Sequence, residues 1–110
     1  TLIHKKMQIQ FNTDNNIRGS EALAESYRSK TENSLSRFSE RITRVEIYLS
    51  DLNSHKSGQD DKRCVLEARL NGIDPITVTH QAATIDQAFT GATNKLKNAL
   101  ESALGKLEAR

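Results

Sequence analysis

Three histidines, one cysteine and a scatter of carboxylates are the side chains in this 110-residue chain best suited to bond-making chemistry. His4 lies near the start, His55 in a polar stretch and His80 in an alternating segment. None has a second His or Cys at the short spacing that a zinc site uses, so no metal is expected. His80 reads instead as a hydrogen-bonded residue at the edge of a core. Cys64 is the only cysteine, so it has no partner for an internal disulfide and reads as a buried, reduced thiol. Asp60 and Asp61 are adjacent carboxylates, but neighbours in a polar loop are solvated rather than poised for acid–base work. The chain has no G-x-S-x-G, no phosphate-binding glycine loop and no dinucleotide-binding glycine pattern. No residue takes a catalytic role, and no cofactor or small-molecule substrate is expected. The chain does not read as an enzyme.

The remaining chemistry is electrostatic. Sixteen basic residues against fourteen acidic ones give a formal +2, too little to argue for nucleic acid by total alone. Where the charges lie decides. Leu23, Ala24, Tyr27, Thr31, Leu35, Phe38 and Ile42 recur at helical intervals and predict an amphipathic helix of about six turns. Ser20 serves as its N-cap, with Glu21 in the first turn. On such a helix Lys30, Arg37, Arg41 and Arg44 fall within about 60° of one another, along one edge of the apolar arc. Two readings compete. The row is either a solvated flank whose stems cover the core edge, or a line of cations that tracks a phosphate backbone.

The segments that must position this row alternate cleanly. Met7, Ile9 and Phe11 point one way between Lys5 and Asn12, as in a half-buried strand. Thr13-Asp14-Asn15-Asn16 and Gly19 then form a loop. Val45, Ile47 and Leu49 mark a second strand, and Cys64, Leu66, Ala68 and Leu70 a third. Between them Asp51–Lys62 is a polar surface loop containing Gly58. Asn71-Gly72 is a hairpin signal, with Asp74-Pro75 leaving a longer connection open. Ile76, Val78, His80 and Ala82 form a fourth strand. The last quarter, from Thr84 to Arg110, carries apolar residues at Ile85, Ala88, Phe89, Ala92, Leu96, Ala99, Leu100, Ala103, Leu104 and Leu107. That stripe predicts a helix of roughly 38 Å, capped by a Thr84-x-x-Gln87 box, with Asp86 at its start and Lys106 and Arg110 at its end.

The order is β-α-β-β-β-α. Every strand has one apolar and one polar face, and each helix has one apolar stripe. An α+β two-layer domain is expected, a four-stranded sheet with two helices on one face. Residues 1–110 read as one domain without repeats or linkers. Apolar runs are too short to span a membrane, and no secretory signal is visible.

With that order in place, the chain resembles the ribosome hibernation factors, also called protein Y or the sigma-54 modulation family, over nearly its whole length. It looks like the short form, without an added C-terminal dimerisation domain. The likeness rests on Met7-Gln8-Ile9 in the first strand and on Ser20-Glu21-Ala22-Leu23 with Tyr27 and Lys30 in the helix. Phe38 and Ile42 before the Val45/Ile47/Leu49 strand, and Ala88 with Lys95-Leu96 in the last helix, add to it. The resemblance implies a cytoplasmic protein that binds the small ribosomal subunit and its rRNA near the decoding region and keeps idle ribosomes inactive, as part of a stress response. Carried over by position, the RNA-binding candidates are Lys30, Arg37, Arg41, Lys95 and Lys97. The family's last helix continues with an R-x-x-L-x-K-x-K type of run, whereas Asn98, Leu100, Ser102 and Leu104 stand here, beside Glu101. A protein-interaction or regulatory module of the same fold, without most of the RNA-binding surface, therefore stays open as the alternative.

Overall fold

The computed structural model describes residues 7–14, 17, 20–52 and 61–108, the side chains of residues 107 and 108 excepted. His4, His55, Asp60, Gly19, Gly58, Arg110, the Leu107 side chain and most of the Asp51–Lys62 connection lie outside the described residues. Four strands, β1 (Gln8–Thr13), β2 (Ile42–Asp51), β3 (Lys62–Leu70) and β4 (Ile73–Ala82), lie in that order in one sheet. β1 pairs parallel with β2, and the other two pairings are antiparallel. Parallel pairing needs a crossover, and the helix α1 (Glu21–Ser34) supplies it. The second helix, α2 (Ile85–Glu108), closes the chain at about 36 Å long.

The period-2 alternation is realised throughout. Val45, Ile47, Leu49, Cys64, Leu66 and Ala68 are all at most 1% exposed beneath the helices. Ile76, Val78 and His80 continue that face on β4. α2 lies over β3 and β4 and buries Ala88, Phe89, Ala92, Leu96 and Leu100. α1 lies over β1 and buries Ala24, Tyr27 and Thr31. Both helices therefore share one face, as the stripes predict. Ser20 Oγ accepts from the Leu23 amide at 3.0 Å, as expected, and Thr84 Oγ1 from the Gln87 amide at 3.1 Å, which is the Thr84 half of the expected box. Gly72 adopts φ +83° in a two-residue turn, which joins β3 directly to β4.

α1 differs from the sequence expectation. It ends at Ser34, followed by a 3-10 turn at Ser36–Phe38, so it has fewer turns than the stripe suggests. Asn33, Ser34, Ser36 and Ser39 compete locally for backbone hydrogen bonds and weaken the helix there. Ile42 belongs to β2, not to the helix. An extra residue on β2 between Ile42 and Arg44 forms a bulge, with Thr43 Oγ1 donating to the Arg69 carbonyl at 3.1 Å. The bulge turns Ile42, 3% exposed, onto the same face as Val45 although they are three residues apart. A strand irregularity thus reproduces a helical interval.

Cys64 lies fully buried opposite His80, and burial pushes its thiol pKa up to about 12. A neutral, enclosed thiol does not react as thiolate. Thiol labelling under native conditions is expected to be slow and to speed up only on unfolding. Rapid labelling of the folded protein would show that β3 lies one residue out of register.

Candidate nucleic-acid interface

Lys30 leaves α1 with its ammonium 4.8 Å from the centre of the Tyr27 ring and 3.4 Å from Asp86 Oδ1 on α2. Tyr27 is held from both sides. Phe11 of β1 stacks on it at 5.9 Å between centroids, and Phe89 of α2 meets it edge-on at 4.9 Å. Its hydroxyl donates a short hydrogen bond to Asp86. Burial and that carboxylate raise the Tyr27 pKa, while the Tyr27 hydroxyl, and then Lys30, hold the Asp86 carboxyl below the usual range. Three elements are locked together at one cation.

Arg37 lies in the 3-10 turn, its guanidinium 4.7 Å from the Phe38 ring centre, and forms an ion pair with Glu101 of α2. Lys30–Asp86 and Arg37–Glu101 thus bridge the α1 side of the layer to α2 at two points. On α2, Lys97 lies about 20° and Glu101 about 60° from Asp86 around the helix axis. Lys97 therefore belongs to the α1-facing flank and is half-buried there. Arg41 is exposed in the turn before β2. Among the described residues neither Arg41 nor Lys97 has an ion pair or side-chain hydrogen bond.

Two of the expected neighbours lie elsewhere. Lys95 is about 180° from Asp86 around α2, and its ammonium donates to the Thr79 carbonyl of β4 at 2.9 Å. It belongs to the opposite flank and does not share a groove with Lys30 and Arg37. Arg44, read from the sequence as part of one helical row, lies on β2 on the open face of the sheet. There it donates to Gln10 and lies 3.6 Å from Glu46, which Tyr48 also bonds at 2.6 Å and Arg69 approaches to 3.5 Å. The Tyr48 hydroxyl, with the arginines behind it, holds the Glu46 carboxyl below its ordinary range. On the open face Arg44 and Arg69 are thus engaged with Glu46, as Lys30 and Arg37 are with the acids of α2. Because the helix ends at Ser34, the expected row is split: Lys30 stays on α1, Arg37 lies in the 3-10 turn, Arg41 in the turn before β2, and Arg44 on β2 itself.

The model of the family described as "Sigma 54 modulation protein / S30EA ribosomal protein" matches residues 9–108. The chain belongs to that family. Among solved structures, the Thermus thermophilus protein Y N-terminal domain has a TM-score of 0.67 at 20% identity, covering 87% of this chain and 98% of that one. A ribosomal subunit interface protein from Coxiella burnetii has a TM-score of 0.62 at 21% identity, covering 94% and 100%. At these identities the two neighbours establish the shared fold. No curated protein sequence matches the chain at a significant level.

In this sigma 54 modulation/S30EA chain, sequence reasoning missed the partners of the cations. Asp86 was legible as a first-turn acid and Glu101 as a residue interrupting a basic run. Their pairing with Lys30 and Arg37 spans more than fifty residues of sequence and leaves no local signal. Half-buried His80 packs its ring against Gly91 of α2 and, among the described residues, makes no side-chain hydrogen bond, contrary to the expectation for it.

Proposed function

We propose that this chain is a non-enzymatic, cytoplasmic, ribosome-binding translation regulator that lays its helical face on rRNA of the small subunit near the decoding region and keeps idle ribosomes inactive. The observation that carries this reading is the placement of Lys30, Arg37 and Lys97 on the helical side, with Arg41 exposed in the turn before β2, in a chain of a family named for a ribosomal protein. Lys95 contributes from the other flank of α2. Residues 1–110 act as one domain in this reading. Five phosphate contacts at roughly 0.7–0.9 each give a log–log salt slope of about −4, which makes binding steeply salt-dependent and tolerant of RNA sequence.

The test is co-sedimentation with ribosomal subunits at low and moderate salt. Arg41→Glu with Lys97→Gln is the informative variant, because neither side chain has an internal partner among the described residues to lose and Gln sets no new charge beside Glu101. Arg37→Glu would set a second carboxylate against Glu101 and confuse affinity with stability. The double variant is expected to leave the small-subunit fraction while its stability changes by no more than about 0.5 kcal/mol per site. Absence of the wild type from that fraction at both salts would overturn the proposal. The internal pairing of Lys30 and Arg37 favours a second reading, a protein-interaction module of the same fold, and that result would select it.

A further inference from the structure

We infer that Asp86 and Glu101 are built-in competitors for RNA phosphate, and that they hold down the affinity of the helical face for RNA. The inference rests on the nucleic-acid reading above and concerns how that surface is restrained. A carboxylate offers the same planar, anionic oxygens to a guanidinium or ammonium that a phosphate does. Arg37 and Lys30 each already hold one, and both pairs are exposed enough to exchange with solvent, with side-chain exposures of 59% and 49% for Arg37–Glu101 and 49% and 69% for Lys30–Asp86. Such pairs add little to folding. Their effect falls on a ligand, which gains only the difference between two anions on the same cation.

The two acids differ in how they give way. Glu101 has a long, half-exposed side chain and can swing into water once a phosphate takes Arg37. Asp86 cannot, because the Tyr27 hydroxyl holds it and Phe11 and Phe89 hold Tyr27. A phosphate reaching Lys30 must tolerate a fixed carboxylate beside it. A flexible strand avoids that repulsion by contacting other cations, and so gains little from Lys30. A folded RNA whose phosphates are held in place by its own structure contacts Lys30, Arg37 and Lys97 together. Glu101 therefore weakens both kinds of ligand, whereas the fixed Asp86 weakens mainly the rigid one, which cannot avoid Lys30.

Four proteins test this: wild type, Glu101→Gln, Asp86→Asn/Glu101→Gln, and the charge-matched control Glu32→Gln/Asp74→Asn. Glu32 and Asp74 are exposed and have no ion pair among the described residues. Asp86→Asn keeps an acceptor for Tyr27, and Glu101→Gln leaves that aromatic cluster untouched if the double variant folds poorly. Binding to poly(U) and to purified small subunits is measured across a salt series. Each neutralised acid is expected to tighten poly(U) binding about three- to fivefold, with a salt slope steeper by about one unit for each cation released. Subunits should gain at least as much, because their fixed phosphates cannot avoid Asp86. Equal gains in the inferred and control pairs would overturn the inference alone, provided wild type sediments with subunits. Tightened poly(U) binding without any subunit binding would sustain the competition and overturn the ribosome reading. Failure of every variant to bind either ligand would overturn both.

Discussion

Leu96→Ala is expected to cost about 2–5 kcal/mol, the range for truncating a fully enclosed leucine. Leu96 is 0% exposed, and α2 holds it over β3 and β4 within the cluster that includes Ile47, Leu66 and Leu100. The loss has two parts, the transfer energy of the removed carbons and the cavity left where sheet and helix cannot close up. Small domains have only about 5–15 kcal/mol of net stability, so a single truncation here removes a large share. Chemical denaturation of the variant should show a lower midpoint with an unchanged slope, and the thermal midpoint should fall by roughly 10 °C or more. A loss below about 1 kcal/mol would mean that α2 turns a different stripe towards the sheet.

Gly91→Ala should destabilise in spite of adding a better helix former. In an open helix interior that change gains about 0.5–1 kcal/mol. At Gly91 a Cβ would lie 2.1 Å from His80 Cδ2, 2.4 Å from Nε2 and 2.6 Å from Cγ. Contact with Cγ means that the whole ring must leave, not only its tip. The displaced imidazole has β3 on one side and the helix above, since His80 stands opposite Cys64. Overpacking of this kind costs about 1–3 kcal/mol, which outweighs the propensity gain. The sign should reverse in a His80→Ala background, where the same substitution stabilises by up to about 1 kcal/mol. A double-mutant cycle read by urea unfolding measures the coupling directly. Additive effects would show that the ring and the glycine do not touch.

Much of this architecture was readable because each strand has one wet face. Met7, Val45, Cys64 and Val78 begin or continue alternations that only a half-covered sheet explains, and α2 has an unbroken stripe with its caps in place. α1 misled at its C-terminal end because Leu35, Phe38 and Ile42 keep helical intervals for three different reasons: a helix cap, a 3-10 turn and a bulged strand. Spacing reports that residues share a buried face, not which backbone put them there. The cation row inherited that error, so Arg44 moved to the opposite face of the sheet and Arg41 into a turn. Lys30, Arg37 and Lys97 kept a common side, yet their counter-charges were invisible. A pairing such as Lys30–Asp86 depends on how two helices lie on one sheet, which no local pattern encodes.

The contact between Lys95 and Thr79 bears on the protein's solubility. β4 is an outer strand ten residues long, the kind of open margin on which a second chain can add a strand and start aggregation. An extra residue on β4, between the positions facing Ala68 and Leu70, breaks the ladder where Asp74 and Pro75 stand. Pro75 has no amide hydrogen to offer, and a bulge twists the strand away from any incoming neighbour. Further along, the Lys95 ammonium occupies a main-chain acceptor and brings a charge to the strand. The margin is therefore interrupted at one end and charged near the other, leaving only a few consecutive residues for an intruding strand. The same lysine that lies off the shared groove helps keep concentrated copies of the protein from zipping together.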